Sequence, residues 1–187
     1  FRFGLVVFAG VLASLEAIAQ SVTGPITTGA RPYALAVNPV THKIYVANEN
    51  GNSVTVIDGI TRATSTVTVG TAPGAVAVNP TTNKIYVTNQ NSNTVTVIDG
   101  GTNETVTVAT GQMPFAVAVN PVTNKIYVAN LNGNTVTVID GNLDVNLRTL
   151  SGYFNDPFGV GINPNTLRVY VGNRSGDSIT VIADTFP

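Results

Sequence analysis

At 187 residues the chain is long enough for one domain with a sizeable core. Its net charge of -1 provides no general electrostatic pull toward nucleic acid or an anionic membrane, and the lack of cysteine removes disulfides, thiolate catalysis and zinc–thiolate sites together. Charged residues make up only 10 %, while Val, Thr, Asn and Gly abound, a mixture suited to strands and tight turns rather than long solvated helices.

Taken in order, Phe1 to Ala19 differs from the rest of the chain. Arg2 precedes an apolar run from Phe3 to Leu15, and Ala17-Ile18-Ala19 supplies a small-x-small end before Gln20. This pattern reads as a secretory signal peptide over 1–19, with residues 20–187 as the folded domain. An uncleaved membrane anchor and a buried helix are the alternatives. The run is short for a span of roughly 20 apolar residues.

The remainder repeats. Lys84-Ile85-Tyr86-Val87-Thr88-Asn89 has counterparts beginning at Lys43, Lys125 and Arg168, so the steps are 41, 41 and 43 residues. The repeats begin near residues 32, 73, 114 and 157. Self-similarity at that period indicates a repeat architecture. One unit carries four strand signals: a (Ala75 to Val78), b (Lys84 to Thr88), c (Thr94 to Ile98) and d (Thr105 to Val108). Asn79-Pro80-Thr81-Thr82-Asn83, Asn89-Gln90-Asn91-Ser92-Asn93 and Asp99-Gly100-Gly101 separate them as turns. Four short antiparallel strands in about 40 residues predict a β-propeller blade, so the expected fold is all-β, with four four-stranded blades.

Details of the pattern agree. Strand a alternates small residues (Ala34/Ala36, Ala75/Ala77, Ala116/Ala118, Gly159/Gly161), as the crowding near a propeller axis requires. Strand b is apolar on both faces, as expected of a blade covered on both sides. Pairing b with c around the Asn-rich loop sets Lys43 opposite Asp58, Lys84 opposite Asp99 and Lys125 opposite Asp140. Such cross-strand pairs contribute about 0.2–1 kcal/mol each, and we expect them to be structural. In the last unit Arg168 faces Ala183, with Asp184 one step on.

The tetrapeptides Tyr45-Val46-Ala47-Asn48, Tyr86-Val87-Thr88-Asn89, Tyr127-Val128-Ala129-Asn130 and Tyr170-Val171-Gly172-Asn173, each followed by a Val-Thr-Val-Ile-Asp-like stretch, resemble the YVTN-family β-propeller repeat. The resemblance runs from Ile26 to Ile182. It implies a secreted, periplasmic or cell-surface protein, surface-layer proteins included. The family's usual ring has seven blades, and this chain has four units. Two arrangements stand: a closed four-bladed ring, with Ile26 to Thr28 as the last blade's missing d strand, or part of a larger ring. An open arc would expose apolar blade faces and favour self-association.

No catalytic set is apparent. His42, the lone histidine, occupies a turn slot held elsewhere by Asn83 and Asn124, and one histidine does not build a multi-histidine metal site. No cofactor or metal is expected. What varies among the units is the d–a and b–c loops, which a propeller gathers on one face. The d–a loops carry Arg31 and Tyr33, Met113 and Phe115, and Asp156 and Phe158; the b–c loops carry Glu49, Gln90, Leu131 and Arg174. Loops on a rigid scaffold are where recognition concentrates. We therefore expect these ten residues to engage a protein or a cell-surface polymer, and the function to be that of an exported, non-enzymatic binding scaffold. The competing expectations are a propeller enzyme, lactonase-like or quinone-cofactor dehydrogenase-like, with its active site completed by blades outside this chain, and a purely structural surface-layer protein.

Overall fold

The computed structural model describes residues 23–184, so the signal segment expected over Phe1 to Ala19 lies outside the described residues. The Val/Thr/Ile runs form short strands, and the Asn- and Asp-rich segments form the turns between them. Blade 1 contains β1 (Pro32–Asn38), β2 (Lys43–Asn48), β3 (Ser53–Asp58) and β4 (Thr64–Thr68). Blade 2 contains β5 (Pro73–Asn79), β6 (Lys84–Asn89), β7 (Thr94–Asp99) and β8 (Thr105–Ala109). Blade 3 contains β9 (Pro114–Asn120), β10 (Lys125–Asn130), β11 (Thr135–Asp140) and β12 (Val145–Leu150). Blade 4 contains β13 (Pro157–Asn163), β14 (Arg168–Asn173) and β15 (Ser178–Ala183). Each sheet is an antiparallel meander in sequence order, and the b–c register sets Lys43, Lys84 and Lys125 opposite Asp58, Asp99 and Asp140 as the sequence predicts.

The turns are closed by side chains. Asn38 Oδ1 accepts the N–H groups of Val40 and Thr41, and Asn79 Oδ1 accepts that of Thr81. The residue ending each a–b turn (His42, Asn83, Asn124, Leu167) has φ between 50° and 57°. That left-handed geometry suits Asn and strains Leu.

Blades stack through sheet faces. Tyr45, Val54 and Val56 of blade 1 pack on Ile85, Val87 and Ile98 of blade 2. Tyr86, Val95 and Val97 pack in the same way on Ile126, Val128 and Ile139, and Tyr127, Val136 and Val138 on Val169 and Val171. This explains why strand b is apolar on both faces: Ile85, Tyr86 and Val87 are each 0 % exposed. The a strands of successive blades lie side by side, β1 by β5, β5 by β9 and β9 by β13.

Two expectations need correction. Ile26 to Thr28 does not enter the last sheet, which among the described residues holds β13, β14 and β15. Instead, Arg62 donates to the carbonyls of Thr23, Gly24 and Pro25, and the Gly29 N–H donates to Thr55 Oγ1, so this segment lies along blade 1. Among the described residues no apolar cluster joins blade 4 to blade 1.

The lysines are the second correction. They face their cross-strand aspartates in register but bond to the next blade: Lys43 Nζ to the Gly100 carbonyl, Lys84 Nζ to the Gly141 carbonyl and Asp144 Oδ2 at 2.7 Å. The aspartates instead cap their own turns. Asp58 accepts from the Ile60 and Thr61 N–H groups, Asp99 from Gly101 and Thr102, and Asp140 from Asn142 and Leu143. These backbone hydrogen bonds hold the Asp58 and Asp99 carboxyls below their usual pKa range.

Candidate functional site

The variable loops are built on a repeated frame. Strand a opens with a bulge in every blade, and the residue just before the strand adopts φ near 55° although none is glycine: Arg31, Ala72, Met113 and Asp156. The carbonyl of each accepts the N–H of the b–c loop residue of the same blade, Glu49, Gln90, Leu131 and Arg174 respectively. From the preceding blade, Asn52, Asn93 and Asn134 each accept the N–H of Ala72, Met113 and Asp156 through Oδ1. Backbone conformation is thus fixed by neighbours, and the side chains are left to vary.

Below this corner sits the recurrent asparagine of each unit. Asn89 is 0 % exposed and donates from Nδ2 to Thr94 Oγ1 and Thr96 Oγ1; Asn48, Asn130 and Asn173 do the same with their own hydroxyl pairs. A glycine of the d–a loop rests on each of the first three. A Cβ on Gly70 would lie 2.7 Å from Asn89 Cγ, so only glycine allows that approach.

On this frame the bulge residue and the b–c loop residue of one blade meet. Gln90 folds over Gly74, where a Cβ would collide with its Nε2. The Arg174 guanidinium lies 5.1 Å above the Phe158 ring centroid. Phe158 also stacks on Phe115 of blade 3, with centroids 4.4 Å apart. Asp156 Oδ2 accepts from Arg174 Nε at 2.7 Å and from Ser175 Oγ at 2.8 Å. The Ser175 and Arg174 hydrogen bonds hold the Asp156 carboxyl below its ordinary pKa. A shallow, largely apolar depression of about 310 Å³ adjoins this group, lined by Phe158, Gly159, Gly172, Asn173, Arg174 and Ser178.

The ten predicted residues therefore divide. Phe115, Asp156, Phe158 and Arg174 form one cluster at the junction of blades 3 and 4. Gln90 and Met113 line a separate polar depression with Asn91, Asn93, Gln112 and Asn132. Arg31 and Glu49 form an ion pair of 3.1 Å on blade 1. Tyr33 stands apart beside Leu35 and Val46, half exposed. Leu131 is buried, 6 % exposed, and belongs to the packing of its blade. Sequence reasoning missed Asp184, which is 1 % exposed and gathers Asn120, Thr123 and Lys125 from blade 3. Its signal was present: Asp184 stands where the other units have Gly59, Gly100 and Gly141, and Leu167 stands where two of them have Asn83 and Asn124. Among the described residues no three His, Asp or Glu side chains gather as a metal-ligand set.

Solved structures share this arrangement. A hydrazine synthase from Kuenenia stuttgartiensis superposes with a TM-score of 0.70 at 22 % identity over 90 % of this chain and 54 % of that one. A functionally unknown protein from Desulfotomaculum acetoxidans superposes at 0.67 with 18 % identity, over 83 % of this chain and 54 % of that one. The computationally designed Ika4 protein gives 0.74 at 17 % identity, over 90 % of this chain and all of that one. The fold is a β-propeller's. At these identities the likeness concerns the fold alone. The chain spans about half the length of the two natural proteins. No protein-family model and no curated protein matches the sequence.

Proposed function

We propose that this chain is an exported, non-enzymatic scaffold that binds a protein or a cell-surface polymer on the face formed by its d–a and b–c loops. The observation that carries the reading is the cluster of Phe115, Phe158, Arg174 and Asp156. Its aromatic faces are held in place by a stacked neighbour, and its charges are oriented by each other before any ligand arrives. Partly exposed aromatic and arginine side chains on a rigid frame are the kind that contribute most to binding energy at recognition surfaces. Export rests on the N-terminal sequence pattern, and the resemblance to YVTN repeats supports a cell-surface or periplasmic setting.

Binding should depend on the rings. Replacing Phe115 and Phe158 together with alanine is expected to weaken retention on purified cell-wall polysaccharide by at least about tenfold, with little change in circular dichroism. Wild-type retention by the double variant would remove the proposal. Export is checked separately, by N-terminal sequencing of secreted or periplasmic protein, with cleavage expected after Ala19.

A further inference from the structure

The junction of blades 2 and 3 differs from its two neighbours in a way that blade packing does not require. Both blades carry four strands, and each has a blade against either face of its sheet. On the loop side of this junction lies the depression of about 320 Å³ lined by Gln90, Asn91, Asn93, Gln112, Met113 and Asn132. None of these six side chains is charged, and five end in a carboxamide. The same slots at the other junctions bring charge. Glu49 stands where Gln90 does, and Asp156, paired with Arg174, stands where Met113 does.

The local backbone is reshaped to hold this set. Gln90 folds over Gly74, which occupies the slot of Tyr33, Phe115 and Phe158 in the other three blades, so an amide lies where those blades carry a ring. Thr88 supports the exchange. It is 0 % exposed and accepts the Ala75 N–H on Oγ1 at 2.9 Å. Ala75 is accordingly missing from the strand pairing that its counterparts Ala34, Ala116 and Gly159 keep with Ala47, Ala129 and Gly172. Asn93 Oδ1 accepts the Met113 N–H at 2.8 Å, which leaves the Nδ2 group to donate elsewhere. Among the described residues the side-chain amides of Gln90, Asn91, Gln112 and Asn132 have no hydrogen-bond partner in the chain. At the next junction the counterpart of Gln112 is Asn155, and its amide is already donated to the Ser175 carbonyl.

A carboxamide carries two donors, an acceptor and no charge. Five of them around one hollow can meet a hydroxyl in either sense. They offer no positive charge to an anion and no carboxylate to a metal ion, and an apolar ligand would take their water without replacing its hydrogen bonds. Recognition of an extended peptide uses a sheet edge and pockets for alternate side chains, whereas the one apolar side chain here is Met113. The chemistry that fits is a neutral ring bearing several hydroxyls, which face the amides while a C–H face rests on the Met113 thioether. The volume lies at the lower end of the range for small-ligand pockets, about 300–1,000 Å³.

We propose that the hollow between blades 2 and 3 is a subsite for a neutral saccharide. The proposal rests on the reading of the loop face as a recognition surface, and it gives that face a ligand class at a place separate from the aromatic cluster.

The test titrates the full chain, labelled with nitrogen-15, with cellohexaose, mannohexaose and xylohexaose while the side-chain amide signals are followed. Hexagalacturonate and tetraalanine serve as the charged and the peptide comparison. At about 10 mM, at least one neutral hexaose should shift the signals of Gln90, Gln112 and Asn132, and the two comparison ligands should not. Gln90→Leu and Gln112→Thr should each weaken that binding at least about fivefold, the net worth of one hydrogen bond. Other units hold leucine and threonine in these slots, as Leu131 and Thr71, so circular dichroism should be unchanged. Phe115→Ala with Phe158→Ala should leave the titration as in wild type. No shift with any neutral hexaose, equal shifts with hexagalacturonate or tetraalanine, or wild-type affinity in both amide variants would each overturn the proposal. If any of these occurs while retention on wall polysaccharide still fails in the ring variant, this inference alone falls and the proposed function stands.

Discussion

Replacing Asp184 with alanine is expected to destabilise the protein by about 3–5 kcal/mol, the range for breaking a buried ion pair from one side. The Asp184 carboxylate accepts from Asn120 Nδ2 at 2.5 Å and Thr123 Oγ1 at 2.6 Å, and lies 3.3 Å from Lys125 Nζ. It does for the junction of blades 3 and 4 what two groups do elsewhere. At the other junctions, Asn83 Oδ1 accepts from Asn38 and Asn124 Oδ1 from Asn79, while the Gly100 and Gly141 carbonyls accept the lysines. A Cβ on Gly100 or Gly141 would strike the Oδ1 of that asparagine. In blade 4 the asparagine has become Leu167, and Asp184 has replaced the glycine. The exchange is reciprocal, so Leu167→Asn should rescue Asp184→Gly, and should also relieve a leucine held at φ 50°. Denaturant melts of the three variants measure this; no recovery in the double variant would refute the exchange.

The same carboxylate makes stability depend on pH. Burial raises its pKa, but hydrogen bonds from Thr123, Tyr127, Asn120 and Lys125 outweigh burial and hold it below the ordinary value. A group with a depressed folded-state pKa contributes stability that is full above its unfolded pKa of about 3.9 and lost as pH falls through the folded value. Wild-type stability should therefore fall below about pH 4 more steeply than that of Asp184→Asn.

Replacing Asn89 with alanine is expected to cost about 2–4 kcal/mol, because the hydroxyls of Thr94 and Thr96 lose their donor and a cavity opens beneath Gly70. Asn89→Asp should be no better, because a carboxylate has no N–H to give the two hydroxyls and would be buried without a counter-charge. Equal melting curves for wild type and Asn89→Ala would contradict this role.

The contrast between these residues shows what the sequence displays and what it hides. The blade, its turns and the b–c register were legible because each depends on residues close in the chain: alternation within strands, Asn-Pro and Asp-Gly turns, and a recurring step of 41 residues. The charge pairing was not. Lys84 and Asp99 are cross-strand neighbours, but the acceptors that Lys84 takes lie 57 and 60 positions away, in the next blade. Asp58 and Asp99 each give one oxygen to two backbone N–H groups, and the cross-strand lysine acts on each through space while hydrogen-bonding to the next blade. The candidate site was half legible for a similar reason. The repeat revealed which positions vary. Phe158 meets Phe115 because successive blades both carry a ring at that slot, whereas blade 2 offers Tyr33 only Gly74; how near those slots lie is set by the stacking of the blades.

The four left-handed corners have one further implication. Arg31, Ala72, Met113 and Asp156 share one backbone geometry while differing in size, charge and polarity, because hydrogen bonds from outside the loop hold the peptide in place. Selection can therefore edit each corner like a letter in a fixed typeface, changing what the rim says to its surroundings without redrawing the page it is set on.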